Sequence, residues 1–178
     1  MKSWCLSVLA VTLLPLGAAA KHAPPPVAPA CVPLAQVTPA MDPVYLTAAS
    51  AACVRKGQLD AATDLYNVAG VFARYDTLRI KDPVAHAAFP ALVVVLGQSL
   101  APQQQQDFFT HLGRRSKLPG YQDVLCQFSA KVGPPTYRPS YLSRSGLDSF
   151  LDRQLGLSAF QPKIAWARVR GEYLGCKS

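Results

Sequence analysis

The sequence predicts an all-α protein: about six or seven helices in one compact, disulfide-stapled domain, preceded by a signal peptide and a proline-rich arm. Three observations carry this expectation. Apolar residues recur at spacings of three and four along most of the chain. Asp-Pro, Ser and Gly residues punctuate the ends of those stretches, where helices start and stop. The one β-like run, Val93-Val94-Val95-Leu96, has no alternating segment elsewhere to pair with. At 178 residues, 50% hydrophobic and 16% charged, the chain has the material for one real core and is not a disordered polymer.

Residues 1–20 read as an export signal. Lys2 precedes an apolar run from Leu6 to Leu16, and Ala18-Ala19-Ala20 offers small residues for cleavage before Lys21. The run is too short for a membrane span. Residues 21–42 form the arm. Between Lys21 and Pro43 stand seven prolines (24, 25, 26, 29, 33, 39 and 43), which resist helix and favour extended chain. Loss of the signal removes Cys5 and leaves Cys31, Cys53, Cys126 and Cys176, an even set for an oxidising compartment. Four cysteines allow three pairings. The favoured one joins Cys31 to Cys53, fastening the arm to the first helix, and Cys126 to Cys176, fastening the C-terminal end to an internal helix. No C-x-x-C or neighbouring histidine supports a metal site.

The helical domain, 43–178, opens on a hairpin. Asp42-Pro43 is an N-cap followed by proline at the first helical position, and Gly57 supplies the stop. Leu46, Ala49, Cys53 and Val54 share one face of the first helix. Leu59, Ala62, Tyr66, Ala69 and Ala73 mark the second, with Leu65 and Phe72 beside them. With Gly57 as the turn, Ala62, Tyr66 and Ala69 give the stretch 43–80 a pattern that resembles one tetratricopeptide or Sel1-type unit. No second copy stands one period on, so the resemblance implies a helical hairpin and not a solenoid.

After Asp82-Pro83, the segment 83–100 is apolar nearly all round. It reads as the buried central helix, kinked or divided at Pro90. Pro102 opens a helix that buries Phe108, Phe109 and Leu112 and closes at Gly113. Tyr121, Val124, Leu125, Phe128 and Val132 stripe the next helix, which Gly133-Pro134 ends. A loop at 134–144 mixes prolines, tyrosines and arginines. Ser145 starts a helix with Leu147, Phe150, Leu151 and Leu155. Pro162 opens the last helix, with Trp166, Val169 and Tyr173 on one side and Arg168 and Arg170 near the other.

Catalytic signatures are missing from the sequence. His22, His86 and His111 have no partners at metal-binding or triad spacing, and neither a nucleophile elbow nor a phosphate loop occurs. Asp60 with Asp64, or Asp148 with Asp152, would be the carboxylate pairs of a glycosidase. Their position near helix starts is accounted for by the helix dipole. Glu172 is the only glutamate. No catalytic residue, cofactor or metal is therefore assigned. An enzyme would need scattered residues that sequence does not reveal.

Net charge is +8, or +7 after Lys2 leaves with the signal (8 − 1). Arg74, Arg79, Lys81, Arg114, Arg115, Lys117, Arg138, Arg144, Lys163, Arg168 and Arg170 make up the basic set. Arg and Tyr together favour protein interfaces, so Tyr137, Arg138, Tyr141 and Arg144, with Arg114 and Arg115, are the candidate contact residues. The expected function is that of an exported, periplasmic or secreted, non-enzymatic binding protein with a protein partner. A concrete example is an immunity or inhibitor protein against a secreted toxin. The alternative is an envelope factor that holds anionic wall polymer or lipid headgroups. Nucleic acid is not expected outside the cell.

Overall fold

A computed structural model of the chain describes residues 29–80, 86–145 and 160–177. The signal, residues 21–28 of the arm, and the helix expected after Ser145 lie outside the described residues. Among the described residues every regular element is helical. They are α1 (Pro43–Arg55), α2 (Leu59–Arg79), α3 (Ala88–Gln98), α4 (Pro102–Arg115), α5 (Tyr121–Val132) and α6 (Pro162–Arg168). Short 3-10 turns span Leu34–Gln36 and Ser140–Ser145, and α6 runs on into a wide π-type turn at Val169–Tyr173.

Local chemistry fixes the hairpin. The Asp42 carboxylate accepts the Tyr45 amide at 2.7 Å, so one donor left open at the start of α1 is satisfied. At the other end Gly57 takes φ +71°. The Gly57 amide donates to the Val54 carbonyl and the Gln58 amide to that of Cys53, the paired bonds of a Schellman stop. The chain then reverses into α2. Alanines let the two helices approach closely: Ala49, Ala62 and Ala69 have no exposed surface, and the Ser50 hydroxyl reaches the Ala62 carbonyl at 2.8 Å.

The 21-residue α2 is the axis of the fold. It packs on α1, α4, α6 and the π-type turn. Its Phe72 and Tyr75 meet Trp166 edge to face at 5.9 and 5.7 Å. Such pairs add about 0.5–1.5 kcal/mol to the area they bury. Gly70 marks the tightest approach. A Cβ there would stand 3.1 Å from the Tyr173 hydroxyl and 3.4 Å from Phe89, so the π-type turn and α3 both close on α2 at this residue.

Two disulfides join Cys31 to Cys53 and Cys126 to Cys176. The first draws residues 29–42 across α1, where Val37 is buried in the common core. The second ties the chain end beyond α6 to α5. Trp166 Nε1–H donates to the Ser129 carbonyl of α5 at 3.1 Å, and Arg170 Nε–H to the Ser129 hydroxyl at 3.1 Å, so the same two elements are also bonded side by side.

Four expectations change. The helix within 83–100 is a surface helix, not the buried centre. Only Leu96 and Gly97 are buried in α3, and Val94 and Val95 are 57% and 59% exposed. The core position is already filled by α1, Phe72, Tyr75 and Trp166. Pro90 neither kinks nor divides α3, because it sits in the first turn, where its missing N–H has no helical acceptor to lose. Helix α4 runs past Gly113 to Arg115; interior glycine costs only about 1 kcal/mol, and Arg115 is anchored in return. Finally, Val124 is 44% exposed and Ser129 replaces it on the buried side of α5, turning the stripe to Tyr121, Leu125 and Ser129.

The 126–176 link closes a long loop of 50 residues in sequence separation. Replacing Cys126 and Cys176 together by alanine is expected to lower unfolding free energy by about 2–4 kcal/mol. Denaturant titration followed by Trp166 fluorescence measures it. An unchanged midpoint would show that the α5–α6 contacts hold the C-terminal end without the link.

Candidate functional site

Asp76 lies on the buried face of α2 with no exposed surface. A carboxylate there needs donors. Arg79, one turn on, pairs with Oδ1, its Nε–H at 2.9 Å. The Tyr137 and Tyr141 hydroxyls both donate to Oδ2 at 2.8 Å. Arg79 also donates from Nη1 to the Tyr137 carbonyl at 3.0 Å, and its guanidinium lies over the Tyr75 and Tyr137 rings at 4.9 and 5.2 Å. Burial pushes the Asp76 carboxyl above its usual range, and Arg79 and the two tyrosines pull it back. Burial, then the Asp76 charge, raises both tyrosines far above the ordinary phenol value.

The candidate contact loop is therefore fastened to α2 by two of the residues singled out for binding. Tyr137 and Tyr141 spend their hydroxyls inward. Arg138 is exposed between them, and Arg144 lies in the turn Ser140–Ser145. Nothing in the Asp76 cluster is left open for a substrate.

A second cluster joins α2 to α4 and α5. Asp64 accepts Arg115 Nε–H at 3.1 Å and Nη2–H at 3.2 Å, in fork geometry, and the Tyr121 hydroxyl at 2.8 Å. Asn67 donates to the Tyr121 oxygen at 2.9 Å, and Arg115 stacks on the Tyr121 ring at 4.8 Å. Burial chiefly pushes the Tyr121 phenol up to about 12. Asp60 takes a third contact from Arg115, at 3.0 Å, and sits 2.8 Å from His111 Nε2. Asp60 and Asp64 thus bind neighbouring helices as well as complementing the dipole of α2. Arg115 is mostly buried, whereas Arg114 beside it is exposed.

The His111–Asp60 pair opens on a shallow cleft lined by residues 57–61. Among the described residues no serine, threonine or cysteine lines it. Among the described residues no group of three or more His, Cys, Asp or Glu could hold a metal ion, and no helix is long and apolar enough to cross a membrane.

An apolar opening also occurs among the described residues. A groove of about 210 Å³ runs between α1 and α3, walled by Val44, Ala48 and Ala51 on one side and Leu92, Val95 and Leu96 on the other. Its two hydroxyls are used up: Thr47 donates to the Pro43 carbonyl at 2.6 Å and Ser99 to the Leu96 carbonyl at 2.7 Å. Pro29 of the arm lines it too, and among the described residues Arg55, the last of α1, is the one charged residue in its lining. The sequence offered a signal for this groove in the uncharged helix 88–98, which was read as core. A second groove of about 220 Å³ lies between the arm and α5, with Lys131 among its walls. Comparison of the chain with family models, curated proteins and solved structures finds no match.

The raised tyrosines set a pH dependence. An unfolded tyrosine loses its proton near pH 10, about where a model phenol titrates, while Tyr137 and Tyr141 keep theirs in the folded state. The folded state then binds more protons, so stability is intact below about pH 10 and falls as pH rises further. The slope approaches about 1.4 kcal/mol per pH unit for each such tyrosine. Tyr137→Phe/Tyr141→Phe is expected to be less stable at neutral pH yet to lose stability less steeply above pH 10. Parallel slopes for wild type and variant in urea melts across that range would contradict the Asp76 geometry.

Proposed function

We propose that this chain is an exported, non-enzymatic binding protein that takes a protein partner in the periplasm or outside the cell. A concrete role of this kind is an immunity or inhibitor protein against a secreted toxin. Export rests on the signal-like residues 1–20, and the two disulfides suit an oxidising compartment.

One observation supports binding over catalysis. The buried carboxylates Asp64 and Asp76 are consumed by Arg115, Arg79 and three tyrosines, and the groove beside α3 is apolar with its hydroxyls satisfied. Active sites reverse this arrangement, with perturbed groups facing an open cavity.

A second reading, an envelope factor for anionic wall polymer or lipid headgroups, is favoured by the net charge of +8. Three of its cations are paired, Arg79 on Asp76, Arg115 on Asp60 and Asp64, and Arg168 on Glu172; those pairs cancel within the net charge and leave it on the other residues.

Exported, C-terminally tagged protein recovered from the envelope separates the two. The expected result is one protein partner at equal stoichiometry, retained as ionic strength rises to physiological values. Polymer or lipid that dissociates steeply over that range would replace the first reading with the second. Recovery of the chain alone would remove both.

A further inference from the structure

Resting on the reading of the chain as a binding protein, we infer that the α1/α3 groove is the docking site and that its occupant is an acidic protein segment. An aliphatic or aromatic side chain of that segment fills the space between Ala48 and Ala51 and Leu92 and Val95. A neighbouring Asp or Glu of the same segment pairs with Arg55.

Size favours a single side chain over a cofactor. At about 210 Å³ the groove falls below the roughly 300–1,000 Å³ typical of small-molecule sites, yet it holds a large side chain. The walls are two helices, which form the kind of trough that receives an apolar anchor from a partner segment. Its lip is unusual for a soluble surface: Val94 and Val95 are each more than half exposed on a helix without a charged residue. Exposed apolar surface of this kind marks interaction sites.

Charge selects among occupants. Thr47 and Ser99 are bonded to their own helices, so Arg55 is the polar group left to a ligand. It is exposed, Lys56 follows it, and no carboxylate among the described residues pairs with it. A second copy of this chain, itself at +8, would bring like charge to like charge. A membrane surface suits a convex face carrying Trp, Phe or Leu better than a concave one edged by valine. An acidic segment satisfies both the apolar walls and the arginine.

Selection of random linear peptides displayed on phage against the immobilised, disulfide-bonded protein tests this. The enriched sequences are expected to carry an apolar anchor beside Asp or Glu. A synthetic peptide of the enriched sequence should lose about tenfold or more in affinity with Val95→Asp or Ala48→Gln, and a similar factor with Arg55→Glu. Val95 and Arg55 are surface residues, so circular dichroism and melting should match wild type. Should Val95→Asp fail to fold, Arg55→Glu alone decides. No enrichment, peptides that bind the Val95→Asp protein equally, or peptides without acid that ignore Arg55→Glu would overturn the inference. The two proposals fail separately. An envelope partner indifferent to Val95→Asp and Arg55→Glu would discard the groove and keep the binding function. Groove-specific peptides with no partner in the envelope would do the reverse.

Discussion

Placing Asp76 without solvent in the last turn of α2 imposes a requirement on everything around it. An ionised carboxylate cannot stay in such a place unless donors surround it, and stripping its partners would cost about 3–5 kcal/mol. Arg79 is supplied locally, by helical spacing. The other two donors come from more than sixty residues away, Tyr137 and Tyr141. The loop between α5 and the C-terminal part is thereby held against α2 by a polar bond that has to form, although the loop has little regular structure of its own. Asp64 repeats the device a few turns earlier and captures α4 and α5 through Arg115 and Tyr121. Through two buried acids one helix captures α4, α5 and the loop that carries Tyr137 and Tyr141.

Apolar packing alone would leave those neighbours loosely specified. Helix α4 offers the core a single fully buried side chain, Phe108, and α5 only Tyr121, Leu125 and Ser129. Each can slide along an alanine-rich surface at small cost. A forked Arg115–Asp64 contact cannot slide, because its two bonds fix both position and angle. The disulfides act at a different place. They secure the arm and the C-terminal end, which the buried acids do not reach.

Helix positions were largely legible in the sequence because they follow from caps and stops: Asp42-Pro43, Gly57, Pro102, Gly133 and Pro162 all mark real boundaries. The cysteine pairing was not legible, because local pattern leaves all three pairings open; the favoured one, Cys31–Cys53 with Cys126–Cys176, is the one the structure holds. What local pattern could not show was which apolar surface ends up inside. The helix 88–98 is more apolar than α2, yet α2 is buried, because α2 also carries the acids that draw partners over it. The same limit applies to the basic set. Arg79 and Arg115 look like surface charge until the aspartates are seen to share the apolar face of α2, with Asp76 four residues beyond Phe72 and Asp64 beside Leu65. An acid on an apolar helical face was the available signal that arginines and tyrosines elsewhere were spoken for.

This division of labour bears on where a partner can act. Cations paired with these acids cancel within the net charge, so Arg79 and Arg115 contribute little to the outward field. The net positive charge therefore resides on residues outside the clusters, Arg55 and Lys56 among them, beside the apolar trough between α1 and α3. A partner drawn by the long-range field would be steered by that net charge and held by packing. Such an interface would associate at a rate that salt lowers, and would owe its lifetime to the fit of the buried side chain. Under the proposed docking, the valines that α3 leaves exposed are the surface that an acidic segment would cover.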